Sequence, residues 1–190
     1  MIRIGILGKI GSGKSFVAKN FGYPVFDADF EVSKLYSRNK KIFIKLKKSI
    51  PEHISSFPID KNEITKAILS NRTNLKKIIN IVHKEIRKKM NLFMKQNKNK
   101  KIVIMDIPLL LESRLNNKKD ILIFIESKKV EIEKRLKKRN NFNLKLINKF
   151  RKIQYTPSFK RRKSNYIIKN DYTKRSIRKS VKVILNDILE

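Results

Sequence analysis

The chain has 190 residues, of which 40% are hydrophobic, and this is enough for one globular domain with its own core. It contains no cysteine, which excludes disulfide bonds, thiolate zinc sites and cysteine nucleophiles, and two histidines are too few for a histidine-rich metal site. No apolar run reaches transmembrane length and none has the form of a signal sequence, so we expect a cytoplasmic protein with no membrane partner.

The charge balance is strongly basic. Forty-eight Lys and Arg residues against 16 Asp and Glu residues give a formal net charge of +32, which is a first sign of a nucleic-acid binder. The lysines, however, are spread along the chain in pairs such as Lys47-Lys48 and Lys137-Lys138, among many Ile and Asn residues that share A/T-rich codons. We therefore favour a biased genome composition, and expect no specific nucleic-acid partner and no obligate protein partner.

The first predicted elements are a strand, a glycine-rich loop and a helix. The apolar run Ile2 to Leu7 predicts the strand, and Phe16, Val17, Ala18 and Phe21 follow at helical spacing. Between them, residues 8–15 read GKIGSGKS. This matches the phosphate-binding pattern of Gly, four residues, Gly, Lys, and then Ser or Thr.

The glycine-rich loop predicts a site for ATP and Mg²⁺, and the alternative is a glycine turn without a ligand. Glycine permits positive φ and lets backbone N–H groups turn toward a phosphate, and the following helix adds its positive dipole end. In this pattern Lys14 reaches the β- and γ-phosphates and the Ser15 hydroxyl holds Mg²⁺. The residues expected to bind the nucleotide are Gly8, Gly11, Ser12, Gly13, Lys14, Ser15 and Phe16.

A second strand is predicted at Pro24-Val25-Phe26, and it ends at Asp27-Ala28-Asp29. Carboxylates at this position lie at the edge where open α/β sheets bind ligands. A structural alternative exists for Asp29, because Asp is a favoured N-cap and a helix is predicted to begin at Phe30.

Helical spacing then dominates from Phe30 to about Met94, interrupted over residues 49–60, which contain two prolines. Strand character returns at Ile102 to Met105 and at Ile121 to Ile125, and such continuous apolar runs suit a parallel sheet that is buried on both faces. Asp106 follows the first of these strands. It could support Mg²⁺ through water or could equally be a strand-end turn residue.

The last third of the chain predicts a lid, a strand and a closing helix. After a helix at residues 130–138, the polar stretch 140–165 contains a short helix at 144–153 and the basic run KRRK at 160–163. A mobile, arginine-bearing segment before the last strand is typical of a lid in phosphoryl-transfer enzymes. Tyr166 to Ile168 predicts that strand, and Ile177, Val181, Ile184 and Ile188 mark an amphipathic helix.

Several separated segments together resemble one family, the dephospho-CoA kinases, which add the 3′-phosphate in the last step of coenzyme A synthesis. The segments occur in family order over nearly the whole chain. They are GILGKIGSGKS at residues 5–15, FDAD at 26–29, His83 with Ile86, MDIPLLLES at 105–113, Arg135 with Arg139, Gln154, Lys160-Arg161, and NYIIKN at 165–170.

The resemblance implies an α/β fold of the P-loop NTPase type, with three layers, a parallel sheet, a helical substrate-binding insertion and a lid. Residues 1–190 are then one kinase domain, in which residues 30–98 form the acceptor-binding insertion and residues 139–163 the lid. The implied reaction is ATP-dependent phosphorylation of the ribose 3′-hydroxyl of dephospho-CoA.

The resemblance also implies roles for individual residues. The second Asp of DAD, Asp29, is the expected base. Beside it, the phosphate-loop pattern and the start of the lid indicate Lys14 and Arg139 as catalytic residues, and the loop hydroxyl and the strand-end carboxylate indicate Ser15 and Asp106 as the metal site. Further candidates for binding the transferred phosphate are Arg135, Lys160 and Arg161. The expected acceptor-binding residues are Asp27, His83, Pro108, Leu109, Leu110 and Glu112, although the leucines could simply be core residues.

Two other functions remain open at this point. A different small-molecule or nucleotide kinase would share the phosphate loop and the lid, but would give no reason for DAD and IPLLLE. A basic ATPase that binds nucleic acid would explain the charge. We would then expect a clustered basic surface or aromatic stacking groups, whereas Trp is absent and the five Tyr residues are scattered.

Overall fold

The computed structural model describes residues 1–140 and 142–190; Asn141, which falls in the predicted lid, lies outside the described residues. Within them, the strands are β1 (Ile2–Gly8), β2 (Val25–Asp27), β3 (Ile102–Asp106), β4 (Ile121–Glu126) and β5 (Tyr166–Lys169). These five strands form one sheet in the order β2-β3-β1-β4-β5, and each neighbouring pair is parallel. The predicted parallel sheet is therefore confirmed.

Helices cover both faces of this sheet, which gives the three predicted layers. The helices of the described residues are α1 (Lys14–Asn20), α2 (Ala28–Arg38), α3 (Lys40–Ser49), α4 (Lys61–Ser70), α5 (Arg72–Gln96), α6 (Lys129–Lys137), α7 (Leu144–Ile153), α8 (Pro157–Arg162) and α9 (Lys174–Leu189). No helix in this part of the chain combines the length and the apolar character needed to cross a bilayer.

Alternation along β1 divides the core into two clusters. Ile4 and Ile6 point to one face, where they join a buried cluster with Val17 of α1 and Ile177 of α9. Leu7 points to the opposite face and joins a larger cluster that extends into α2, α3, α4 and α5. The four helices that follow β2 therefore pack on one face of the sheet and stand beside its carboxyl edge.

One glycine of β1 permits a close approach that shapes this second face. A β-carbon on Gly5 would stand 2.5 Å from Cδ2 of Leu110 and 2.8 Å from Cδ2 of Leu122. The absence of a side chain lets Leu110, which is fully buried, pack directly on the strand. The segment after β3 is thereby fixed against the sheet.

The structure differs from the sequence-based prediction at the start of α2. Asp27, with extended backbone, is the N-cap, and its side chain accepts a hydrogen bond of 2.9 Å from the backbone N–H of Phe30. Asp29 already lies in the first turn of the helix. The capping role considered for Asp29 is therefore wrong, because the helix begins earlier than its hydrophobic spacing suggested.

A second difference lies in the predicted lid. The helix expected at residues 144–153 is confirmed as α7, but the basic run after it is partly helical, because Lys160, Arg161 and Arg162 form the second half of α8. Thr156 caps α8 by accepting from the N–H of Phe159, and Pro157 occupies its first turn, where a missing N–H costs nothing. With only six residues, α8 is too short to show hydrophobic periodicity, so the prediction missed it.

Candidate active site

A cavity of about 910 Å³ opens at the carboxyl edge of the sheet. Its two ends differ in character. One end is polar and is formed by the glycine-rich loop together with Asp29 and Asp106, whereas the other is apolar and is formed by α2, α4, α5 and α7. The side chains that line the apolar end include Val32, Ile64, Ile68, Leu75, Ile79, Val82, Leu146 and Phe150.

The polar end is built around the glycine-rich loop. Gly11 and Gly13 both have φ of 86°, in the left-handed region that glycine adopts without strain. Lys14 folds back over the loop, and its Nζ donates to the carbonyl oxygens of Lys9 at 3.0 Å and Gly8 at 3.4 Å. The loop thus surrounds an ammonium group at the beginning of α1, as an anion site requires.

Burial lowers the pKa of Lys14 to about 8, although the carboxylates of Asp106 and Asp29 act in the opposite direction. The positive charges of Lys160 and Arg139 lower it further. A lysine that is costly to keep charged gains more from an arriving polyphosphate than a solvated lysine does. The electrostatics of this end therefore favour a highly charged anion.

Asp29 stands in the cavity wall beside this cluster of cations. Burial raises the pKa of its carboxyl group, and the neighbouring Asp27 raises it further. Lys14, Arg139 and Lys61 lower it. A carboxylate whose pKa is raised by its surroundings is a better proton acceptor than a solvated one, which suits a general base.

Asp106 and Ser15 together offer oxygen ligands at the foot of the loop. Asp106 ends β3 and is 4% exposed. Burial raises the pKa of its carboxyl group, and a side-chain hydrogen bond with Ser15 offsets only part of this rise. In the described residues no group of three His, Asp or Glu side chains could hold a metal ion alone. The two oxygen donors of Ser15 and Asp106 fit Mg²⁺, which commonly takes one or two protein oxygens and completes its shell with phosphates and water.

Most of the predicted site residues are brought together in this cavity, but seven stand outside its wall, among them Lys160 and Arg161 of the predicted lid. Gly8 and Ser12 form the underside of the loop, Asp27 caps α2, Leu110 packs beneath Gly5, and Glu112 points toward α8. The predicted residues that line the cavity are Gly11, Gly13, Lys14, Ser15, Phe16, Asp29, His83, Asp106, Pro108, Leu109, Arg135 and Arg139.

His83 lines the acceptor wall from the middle of α5. Its Nε2 lies 3.4 Å from the Ser113 hydroxyl oxygen, and burial, with a smaller contribution from Arg87, lowers its pKa. The imidazole is therefore neutral at pH 7 and can act as a hydrogen-bond donor at one nitrogen and as an acceptor at the other.

Residues of the predicted lid form part of the cavity wall. Lys149 of α7 donates to the backbone carbonyls of Ile68 and Leu69 at the end of α4, and Gln154 donates to the carbonyl of Pro108 at 3.1 Å. These contacts join the lid to both the helical insertion and the acceptor segment. Whether the lid moves stays a prediction.

Two basic residues of the lid are engaged with acidic partners rather than facing the cavity. Lys160 is 3% exposed and its Nζ lies 2.9 Å from Oε1 of Glu112, the same oxygen that accepts from the N–H of Tyr155. Arg161 pairs with Glu126 at 2.7 Å on the surface. Glu112 thus anchors α8 to the acceptor segment.

Sequence reasoning missed a group of side chains that contact the glycine-rich loop from behind. Ser127 and Asn170 both donate to the carbonyl oxygen of Ser12, and the Tyr172 hydroxyl donates to the carbonyl oxygen of Gly11. No local pattern could have indicated these contacts, since 158 positions separate Asn170 from Ser12.

Comparison with known proteins gives a consistent result. The family model described as dephospho-CoA kinase matches residues 2–175. The dephospho-CoA kinase of Wolbachia sp. subsp. Brugia malayi (strain TRS) is 36% identical over 190 residues, which cover 97% of each chain. The family match therefore extends over both ends of the cavity.

Solved structures show the same fold. The crystal structure of a Thermus thermophilus protein has a TM-score of 0.75 and 26% identity, and the match covers 98% of this chain and 97% of the other. The dephospho-CoA kinase from Campylobacter jejuni has a TM-score of 0.63 at 21% identity, covering 98% and 96%. With a family model that spans most of its length, the chain belongs to the dephospho-CoA kinase family.

Proposed function

We propose that this protein transfers the γ-phosphate of ATP to the ribose 3′-hydroxyl of dephospho-CoA, giving coenzyme A in the last step of its synthesis. The observation that carries the proposal is that one cavity contains the phosphate loop, the Asp29 carboxylate with its raised pKa, and a long apolar wall. An acceptor with a polar nucleotide and an extended, less polar arm matches both ends. The family assignment supports the same acceptor.

The polar end accounts for the binding of ATP. Backbone N–H groups of the glycine-rich loop and the positive end of α1 face the β- and γ-phosphates, and Lys14 neutralises part of their charge. Ser15 and Asp106 would hold Mg²⁺, which offsets the charge on the phosphate oxygens when it is bound. Arg139 adds a guanidinium group at the rim, where its planar donors suit phosphate oxygens.

The transfer step follows from the position of Asp29. The 3′-hydroxyl oxygen forms a bond to the γ-phosphorus while the bond from that phosphorus to the β–γ bridging oxygen breaks, and ADP leaves. The proton of the hydroxyl passes to the Asp29 carboxylate and then to solvent. The acceptor wall, formed by His83, Pro108 and Leu109, would orient the ribose for in-line attack.

The test is the release of ADP by purified protein with ATP and Mg²⁺ in the presence of different acceptors. We expect dephospho-CoA to stimulate ADP release strongly, and nucleoside monophosphates and single-stranded RNA to leave it at the level without acceptor. Stimulation by a nucleoside monophosphate alone would assign a different kinase activity. Stimulation by RNA alone would favour the nucleic-acid-dependent ATPase and contradict the proposal.

The cytoplasmic location and the absence of further partners stay predictions. The reaction needs dephospho-CoA and ATP, two small molecules, and every group assigned to the transfer comes from this chain. We therefore propose that no other protein and no nucleic acid is required for turnover.

A further inference from the structure

Two side chains from the loop after β5 contact the back of the glycine-rich loop, at consecutive carbonyl groups. Nδ2 of Asn170 donates to the carbonyl oxygen of Ser12 at 2.8 Å, and the Tyr172 hydroxyl donates to that of Gly11 at 2.9 Å. Ser127, after β4, donates to the Ser12 carbonyl as well, at 3.0 Å. Three donors therefore converge on two neighbouring peptide groups.

These contacts fix the direction of the peptide group between Ser12 and Gly13. In a planar trans peptide the C=O and N–H groups point in opposite directions. Because two donors behind the loop bind the Ser12 carbonyl, the N–H of Gly13 is directed to the other side, where Gly13 lines the cavity. The same contacts keep a carbonyl oxygen, which would repel a phosphate, away from the cavity.

The glycines make such external support necessary. Gly11 and Gly13 gain their left-handed φ at little steric cost, but the same freedom lets the unsupported loop sample many other conformations. Binding a nucleotide to an unsupported loop would then include the entropy of ordering it. Donors that hold the carbonyls before the ligand arrives remove part of that cost.

The supporting loop is itself held in an unusual conformation. Tyr172 has φ of 64°, which a non-glycine residue seldom adopts, and its N–H donates to Oδ1 of Asn170 at 2.7 Å. The Asn170 side chain is buried and thus joins the Ser12 carbonyl to the Tyr172 backbone. The fit is close, because a β-carbon on Gly13 would collide with the Asn170 amide.

We infer that Asn170 and Tyr172 are positioning residues that preorganise the phosphate loop, and that they set nucleotide affinity without touching the nucleotide phosphates. The inference rests on the proposed function only in that a nucleotide binds to this loop. It does not depend on the identity of the acceptor. A purely structural role would instead affect the stability of the free protein and leave its nucleotide affinity unchanged.

The test is the dissociation constant of ADP, measured by calorimetric titration in the presence of Mg²⁺. Tyr172→Phe removes one hydroxyl and keeps the ring, against which the Arg135 guanidinium lies 4.1 Å from the centroid. We expect the Kd of ADP to rise about 2-fold to 10-fold, the range of one neutral hydrogen bond. Asn170→Ala removes contacts to both Ser12 and Tyr172, and we expect a rise of about 10-fold or more.

Tyr166→Phe is the matched control. Tyr166 is the first residue of β5, the strand that leads into the supporting loop. Its hydroxyl hydrogen bonds to Asp187 of α9 on the surface, away from the glycine-rich loop. This variant should keep the Kd of ADP. In steady-state kinetics, Tyr172→Phe should raise the KM for ATP and leave the KM for dephospho-CoA unchanged.

Unchanged ADP affinity in both Tyr172→Phe and Asn170→Ala would overturn the inference, as would equal changes in the KM values of both substrates. A lower melting temperature of the free protein with no change in ADP affinity would assign these residues a structural role only. The titration contains no acceptor, so a protein that binds ADP but does not phosphorylate dephospho-CoA would contradict the proposed function and leave this test intact. If the unaltered protein did not bind ADP, both would fail.

Discussion

The two ends of the cavity are formed by different kinds of chemical groups. The phosphate end consists mainly of backbone groups and short polar side chains from consecutive residues, all fixed to the carboxyl edge of a parallel sheet. The acceptor end consists of apolar faces of α2, α4, α5 and α7, which come from widely separated parts of the chain. Chemistry that all kinases of this fold need is thus local, whereas the choice of acceptor depends on long-range packing.

Asp29 lies where the two ends meet, and its substitution should have the largest effect. Asp29→Asn keeps the size of the side chain but removes the proton acceptor, so we expect kcat to fall by about two to four orders of magnitude. ATP affinity should be nearly unchanged. Steady-state kinetics and an ATP titration together measure both quantities.

Asp27→Asn is the control for this prediction. Asn caps a helix about as well as Asp, so the variant should fold normally. It removes one charge that raises the pKa of Asp29 but keeps the base itself, so most of the turnover should remain. If Asp27→Asn were as inactive as Asp29→Asn, or if Asp29→Asn kept its activity, the base would have to be another group.

The next largest effect should come from the ion pair that ties the lid to the acceptor segment. Lys160→Met leaves the buried Glu112 carboxylate without its partner, and we expect the free energy of unfolding to fall by about 3–5 kcal/mol. Denaturant titration measures this change. The double variant with Glu112→Leu should recover much of the loss, because it removes the uncompensated charge.

The exposed pair between Lys88 and Glu85 on α5 is the matched control for that variant. Its lysine side chain is 72% exposed, so Lys88→Met should change stability by less than about 1 kcal/mol. Equal losses in Lys160→Met and Lys88→Met would show that burial of the lid pair is not important for stability.

The pKa of Lys14 predicts how nucleotide affinity depends on pH. Since this pKa is lowered to about 8 in the free protein, Lys14 is largely neutral above that pH, while bound phosphates favour its charged form. Binding ADP above pH 8 should therefore take up a proton, and the affinity should fall by up to about tenfold per pH unit. Calorimetry in buffers of different ionisation enthalpy measures the proton uptake.

Below pH 8 Lys14 is already charged, so this contribution to proton uptake should disappear. Lys14→Met should abolish the uptake above pH 8. A pH-independent affinity from pH 7 to pH 10 in the unaltered protein would contradict the assignment of Lys14 to phosphate binding.

The smallest effect should come from a single polar contact on the acceptor side. His83→Gln retains a hydrogen-bonding side chain but alters its shape, and we expect the KM for dephospho-CoA to rise about 2-fold to 10-fold with no change in the KM for ATP. The matched control is His53→Gln, because His53 also contacts a serine hydroxyl, that of Ser70, but does not line the cavity. Similar effects of both variants would remove His83 from the acceptor site.

The part of the molecule that the sequence could predict follows the same division. The strand, loop and first helix were recognisable because eight consecutive residues, 8–15, carry the pattern. The five strands were recognisable from their apolar runs. The apolar end of the cavity was visible only as helical periodicity, since which faces meet is decided by contacts such as that between Lys149 and Ile68, 81 positions apart.

Lys160 and Glu112 illustrate what the sequence could not reveal. In the run KRRK every side chain carries the same positive charge, and only the fold selects Lys160 for burial opposite Glu112, which lies 48 positions earlier in the chain. Glu112 was expected at the acceptor, and the structure places it between the acceptor segment and the lid. The contacts of Asn170 and Tyr172 with the glycine-rich loop could not be predicted either, because their partners are backbone carbonyls, which carry no sequence signal.

The proposed function depends most on one geometric point, that the cavity presents only the ribose 3′-hydroxyl of the acceptor to Asp29 and to the γ-phosphate. It is tested most directly with two acceptor analogues, the 2′-deoxy and 3′-deoxy forms of dephospho-CoA, by following ADP release and identifying the product by phosphorus NMR. We expect the 2′-deoxy form to be phosphorylated at its 3′-oxygen and the 3′-deoxy form not to be a substrate. Phosphorylation of the 3′-deoxy form, or of any other oxygen, would contradict it.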